Sequence, residues 1–401
     1  MRNFARHALM EILGCANILK HLRFDKSDTK KQILTMKILF LIIVLLHGLI
    51  HLLGFVKGLG IKEVKELTLP ISKLMGFLWL TTAIFLLTFG ILQLFNSKYA
   101  WLVGLVTVVF SQILIILFWK DAKFGTLPNI LILLVSIIYY GQINFQKLVQ
   151  QETTQLLSQN EKIENKIINK NNIEYLPEPV KNWLRNSGAL GQPFISIGKV
   201  IQKAEMKLKP EQEDWMSATA TQYTAINVPA FIWTVDVKMN SLLYAQGRDK
   251  FENGKGEMLI KMNSLINVVN EKGEKLDEGT LQRYLGEMVW FPSLALSPYI
   301  AWKQIDNHTA KATMSYKGTT GSGIFQFNAN GEVTSFSALR YKGNEATAKR
   351  YNWTMNIIDY KVFEGIKVPS KMTSTWKLDE RDWTWLKLDV TDIKYNKNTS
   401  Y

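Results

Sequence analysis

The 401 residues carry a net charge of +14, 47% hydrophobic side chains, one cysteine and five histidines. The lone Cys15 excludes a disulfide framework and a thiolate zinc site, and with only His308 after residue 51 the C-terminal half has little material for nucleophile–histidine or histidine–metal chemistry. Split at Tyr175, the basic surplus is 9 before the cut and 5 after it, so it gathers around the hydrophobic segments, where lipid headgroups rather than nucleic acid are the expected partner.

Residues 1–35 are polar and basic and read as an N-terminal tail or as sequence upstream of a start at Met36, where "MKILFLIIVLLHG" begins. With the tail, the Lys and Arg count favours an inner N-terminus. Without it, Lys57, Lys62, Lys65 and Lys73 in the first loop pull the other way, so the count alone does not choose the side of the C-terminal domain.

Four segments, Ile38–Val56, Leu74–Phe95, Ala100–Trp119 and Leu127–Phe145, contain no Asp, Glu, Lys or Arg. Each is close to the roughly 20 residues that cross a hydrocarbon layer of about 30 Å. Short connections predict a multi-pass, up-down, all-α transmembrane four-helix bundle over residues 36–146. "HGLIHLLGF" places His47 and His51 one turn apart on one face of the first span. A bis-imidazole haem would need histidines on facing spans, and Gln93, Gln112, Asn129, Tyr139 and Gln142 are poor metal ligands. Hydrogen bonding to neighbouring spans is therefore the first reading of this intramembrane pair, and a proton, quinone or ion role is the alternative. Lys120, Asp121 and Lys123 leave the third span as interfacial charges.

Residues 147–174, rich in Gln, Asn, Lys and Glu, read as a polar helical linker in which Leu148, Leu156, Leu157, Ile163, Ile167 and Ile168 recur loosely. "YLPEPVKNWLRNSGALGQP" predicts a short helix opened by Pro177–Pro179 and ended at Gly188. The rest of residues 175–401 alternates with period two between turn signals, which predicts an α+β domain with a curved antiparallel sheet. Asn330-Gly331 is the strongest two-residue hairpin signal. One helix interrupts the strands, "LDEGTLQRYLGEMVWFPSLAL", with Asp277 as its expected cap and Leu281, Leu285, Met288 and Val289 as its apolar stripe.

The blocks "LLHGLIHLLGF", "LPISKLMGFLWL", "WKDAKFGTLPNILIL", "YLPEPVKNWLRNSGALG", "RYLGEMVWFPSLAL" and "GIKVPSKMTSTW" together resemble a family of bacterial membrane proteins of no assigned function, over nearly everything from Met36 onward. The soluble part of that family is similar to the lipoprotein-carrier half-barrel, the LolA and LolB type of fold. The resemblance implies a strongly curved sheet with an apolar concave face, a helix plugging it, and an acyl chain or similar apolar ligand that takes the plug's place.

Eight tryptophans, Trp215, Trp233, Trp290, Trp302, Trp353, Trp376, Trp383 and Trp385, fall in the β region and suit either a core or such a cavity. The expected ligand-binding set is Trp233, Trp290, Phe291, Trp302, Phe325, Phe327, Trp353 and Trp376. Glu287, Arg283 and Arg340 are the buried polar candidates, with Asp249 and Glu257 as further charged ones; Glu287 and Arg283 are spaced for an i, i+4 ion pair. A desolvated, unpaired Glu287 would suit acid–base chemistry, and an enzyme centred on it with Arg283 or Arg340 is the competing function. "ENGKGEM" and "TTGSGIF" match neither a phosphate-binding loop nor a nucleophile elbow and read as turns. No catalytic residue, metal or cofactor is assigned. The leading expectation is a membrane-anchored binding protein for an apolar or lipid-like ligand, with a membrane sensor or redox or ion module built on His47 and His51 as the remaining alternative.

Overall fold

In the computed structural model, which describes residues 26–160, 166–239 and 243–397, four helices are long and apolar enough to cross a membrane. They are α1 (Lys26–Gly58), α2 (Lys73–Leu94), α3 (Ala100–Leu117) and α4 (Thr126–Ser158). The chain divides into two units, Met1–Ile137 and Ile138–Tyr401, with the boundary inside α4. Residues before Lys26, where most of the basic tail falls, lie outside the described residues, as does Ile163.

Helix α1 starts well before the apolar run because charged side chains end the run without ending the hydrogen bonding between turns. Helix α2 is capped by Ser72, whose Oγ accepts from the Met75 amide at 3.3 Å. Helix α4 continues through Gln146 to Ser158 without a break. Within the second unit its last turns lie on a sheet: Leu156 and Leu157 join Ile197, Tyr223, Ala230 and Ile232 in one buried cluster.

The short helix α5 (Glu178–Asn186) follows Pro177 and is closed by Gly188 at φ +77°, as the prolines and the glycine predict. Among the described residues thirteen antiparallel strands, beginning with β1 (Ile197–Met206) and β2 (Met216–Ala225), then form one sheet in the order β6-β5-β4-β3-β2-β1-β13-β12-β11-β10-β9-β8-β7. Those that build the site are β3 (Ala230–Lys238), β4 (Tyr244–Glu252), β5 (Lys255–Met262), β10 (Val333–Tyr341), β11 (Arg350–Phe363), β12 (Ile366–Lys377) and β13 (Asp382–Tyr395). Strand β3 is buried on both faces: Phe231, Trp233, Val235 and Val237 enter the main core, while Ala230 and Ile232 face the end of α4. This double burial is why "AFIWTV" loses polar alternation.

Helix α6 (Glu274–Gly286) touches β4, β5 and β6 and also β8 (Thr309–Tyr316), β9 (Thr319–Phe327) and β10. Laid flat, β5 and β9 would stand about 43 Å apart at 4.8 Å per strand, several times a helix diameter of about 10–12 Å. The sheet must therefore curl around α6. Its two flanks meet where Thr319 Oγ1 donates to the Gly254 carbonyl at 2.7 Å. The outer strands β6 (Ile266–Lys272) and β7 (Ile300–Asp306) are not paired with each other, so the sheet is a curved, open one.

Leu281, Tyr284, Leu285, Met288 and Val289 are fully enclosed under this curve, each worth about 2 kcal/mol of burial. Glycines permit the close fit. A Cβ on Gly256 would fall 2.5 Å from Thr280 Oγ1 of α6, and one on Gly323 would fall 2.2 Å from the Phe336 ring.

Two local expectations are corrected. Asp277 is not the cap of α6: it lies in the first turn, and its Oδ1 accepts from the Gly256 amide at 2.8 Å while Oδ2 takes Lys255 at 2.9 Å, which ties the helix start to β5. Asn330-Gly331 is not a two-residue turn. Phe327 pairs with Val333 across a longer loop, because Asn328 Oδ1 accepts from the amides of both Asn330 and Glu332 and organises the extra residues. The two-residue turns with both positions at positive φ are Asn253-Gly254, Lys317-Gly318 and Glu364-Gly365.

Candidate functional site

A cavity of about 250 Å³ opens in the second unit between α6 and the inner face of the sheet. Its walls carry Trp233, Trp353, Trp376, Trp383 and Trp385, with Leu386, Leu388 and Met258 among them and Thr280 and Arg283 contributed by α6. Strand register and one bulge set this wall. Trp376 pairs with Trp383 and Trp353 pairs with Trp376, and a bulge at Trp385, where Thr375 pairs with Thr384 and Ser374 with Leu386, brings Leu386 and Leu388 to the side that Trp383 and Trp385 share.

Of the residues expected to bind ligand, Trp233, Trp353 and Trp376 line this cavity. The others pack elsewhere. Trp290 and Phe291 are completely buried, with Trp290 Nε1 donating to the Pro369 carbonyl at 3.0 Å and Phe291 edge-on to Tyr395. Phe325 and Phe327 stack in the core with Phe336 beside Phe325, and Trp302 packs on Phe325 while its Nε1 donates to the Ala295 carbonyl at 3.0 Å. Trp383 and Trp385 belong to the wall although the expected set omits them; the "DWTWL" alternation is the signal that places them together.

Arg283 is the centre of a closed polar network. Its Nε donates to Glu287 at 2.7 Å, Nη1 to Asp249 at 2.7 Å and Nη2 to Gln222 at 3.2 Å. The other Glu287 oxygen accepts from Gln222 at 2.7 Å, so both oxygens of that carboxylate are engaged. The guanidinium also lies 4.7 Å from the Trp233 ring centre and 4.9 Å from that of Phe231. Its own burial opposes its charge, but Glu287 and Asp249 outweigh that and hold it above its ordinary value. Burial raises Asp249 above the usual carboxylate range, with Arg283 pulling against it.

Arg340 is held differently. The guanidinium lies 4.4 Å from the Trp353 ring centre and 5.6 Å from that of Trp376, and among the described residues its Nε–H has no hydrogen-bond partner. The carboxylates nearby are committed to other cations, Asp249 and Glu287 to Arg283 and Glu278 to Arg350. Burial, with the Arg283 charge next, pushes Arg340 down to about 10, which leaves it a cation at neutral pH. The indole N–H groups of Trp353, Trp383 and Trp385 are likewise buried without partners. Glu257, the remaining charged candidate, is shared by Arg248, Lys250 and Lys272.

A family of unknown function, DUF6544, matches residues 166–388, more than half of the chain. The chain belongs to that family. The match takes in α5, α6 and the cavity wall out to Leu388. Among curated proteins none matches. Two solved structures are similar: a LolA superfamily protein from Nitrosomonas europaea, at 11% identity over 55% of this chain and 94% of that one with a TM-score of 0.31, and a β-barrel-like DUF1849 protein from Brucella abortus, at 8% identity over 51% of this chain and 100% of that one with a TM-score of 0.24.

In the first unit, His47 and His51 are both buried and hydrogen-bonded. His51 Nδ1 donates to the His47 carbonyl at 3.0 Å, so its Nε2 is the acceptor for the Ser111 hydroxyl at 3.0 Å. Asn129 donates its amide to Gln112 at 3.0 Å, which turns Asn129 Oδ1 toward His47 Nε2 at 3.0 Å and makes that nitrogen a donor. Hydroxyl, amide and carbonyl partners on α1, α3 and α4 thus hold both rings in place. Both also border a cavity of about 570 Å³ with Trp79, Ile50 and Phe124. Replacing both histidines with Leu is expected to lower stability by about 1 kcal/mol per ring. Thermal melts of the double variant check this, and an unchanged melting temperature would count against it.

Proposed function

We propose that the second unit binds a small apolar, lipid-like ligand and that the four apolar helices hold it at a membrane. The observation that carries this reading is the cavity walled by five tryptophans beside α6. The aromatic and aliphatic walls favour an apolar body, and the polar groups set among them, Arg283 and Arg340 foremost, suit its orientation. At about 250 Å³ the space equals on the order of eight water-sized groups. That suits one short chain or ring system and not several long acyl chains.

Ser374 lines the cavity from β12 and is small and buried, so Ser374→Phe should fill part of the space. Native mass spectrometry of the full chain extracted from membranes is expected to show a bound small molecule that the Phe variant lacks, with a melting temperature equal to or above that of the parent. Calorimetry with octan-1-ol gives a defined probe for the same comparison. An unliganded parent that also ignores octan-1-ol and short-chain carboxylates would remove the proposal.

A further inference from the structure

We infer that the ligand is a monoanion, a carboxylate on a short apolar body, and that the carboxylate is received by Arg340. This rests on the cavity being a ligand site at all. Among the described residues, four buried donors without acceptors belong to one cavity wall: Arg340 Nε and the indole nitrogens of Trp353, Trp383 and Trp385. Buried polar groups are nearly always hydrogen-bonded, so a cluster of orphans of the same sign calls for an acceptor that arrives from outside the chain.

The charge arithmetic limits that acceptor to one negative charge. Arg283 already holds Asp249 and Glu287, while Arg340, which lies against the rings of Trp353 and Trp376, holds neither. A guanidinium presents a planar fork that matches a carboxylate with two parallel hydrogen bonds. A dianion would meet the carboxylates of Asp249 and Glu257, which share the same wall. Trp353 and Trp376, which lie against the guanidinium and line the same cavity, offer rings to the carbons that follow the carboxylate. Leu386, Leu388 and Met258 continue the apolar surface.

The test is calorimetry on the full chain in lipid nanodiscs, with empty nanodiscs as the blank, using octanoate and octan-1-ol. The parent is expected to bind octanoate at least tenfold more tightly than octan-1-ol. Arg340→Met should erase that preference while still binding the alcohol, and it should melt no lower than the parent, since it removes a half-buried cation that no carboxylate pairs. Arg340→Lys keeps the charge without the fork and should retain only part of the preference. Equal affinity for acid and alcohol in the parent, or a preference that survives in Arg340→Met, would overturn the inference while leaving the apolar cavity intact. If neither probe binds the parent, the proposed function falls with it.

Discussion

Arg283→Met is expected to lower the melting temperature of the full chain by roughly 10 °C, from a loss of about 4 kcal/mol. The reason is what stays behind. Asp249 and Glu287 are each 2.7 Å from the guanidinium and largely buried, so removing Arg283 leaves two carboxylates facing each other's charge and the Gln222 amide. The cost of an uncompensated buried charge exceeds the net worth of the pair itself. The variant also removes the cation that lies over Trp233 and Phe231. Neutralising the carboxylates together with the arginine, in Arg283→Met with Asp249→Asn and Glu287→Gln, should restore most of the stability, because no charge is then stranded. Thermal unfolding of the single and combined variants measures this. A single variant within about 1 kcal/mol of the parent would show that the network does not hold α6 to the sheet. Arg340→Met is expected to behave oppositely, and the contrast separates an arginine that fastens the fold from one that is left for a ligand.

How far these features were readable in advance follows from the range of the interactions. The four long apolar helices were legible because an uncharged apolar run of that length reads the same whatever its neighbours. The Arg283–Glu287 pair was legible because an i, i+4 spacing on a helix needs no tertiary knowledge. Asp249 and Arg340 are different. Each sits at the right place only once strand register is known, and residues 249, 283 and 340 come from β4, α6 and β10. Tryptophan count alone marked the region but could not sort wall from core: Trp290 and Trp353 look alike in sequence, yet Trp290 Nε1 finds the Pro369 carbonyl and Trp353 Nε1 finds nothing. Turn chemistry failed for a local reason. Lys317-Gly318 and Glu364-Gly365 place long charged side chains at a positive-φ position that Asn usually fills, and the sheet's twist imposes the turn regardless. The glycines of "GFVKG" in α1 carry no signal by themselves, because their four-residue spacing means nothing until a second helix is known to press on that face.

That spacing supports the second large prediction. Gly54 and Gly58 lie on one face of α1, and α2 packs directly on them: a Cβ on Gly54 would fall 2.3 Å from the Trp79 ring, and one on Gly58 would fall 2.7 Å from the Gly76 Cα and 3.0 Å from its amide nitrogen. The contact at Gly58 is with backbone, which no rotamer change can relieve. Small residues let membrane helices approach this closely, and the gain is van der Waals contact that lipid does not match. Gly58→Leu must push the end of α1 away from the start of α2, and with them Trp79, which packs on His51 at 4.9 Å and Phe118 at 5.8 Å between ring centres. The expected loss is about 3 kcal/mol, at the upper end for overpacking, with a reduced yield of monodisperse protein. Gly90 on α2 is the matched control. A Cβ there meets nothing closer than Val44 Cγ1 at 3.7 Å, an ordinary contact, so Gly90→Ala should stay within about 1 kcal/mol of the parent and on the stabilising side. Melts of both variants in nanodiscs decide the matter: if Gly58→Leu tracks Gly90→Ala, α1 and α2 do not approach through their glycines, and the helical unit must be held by other contacts.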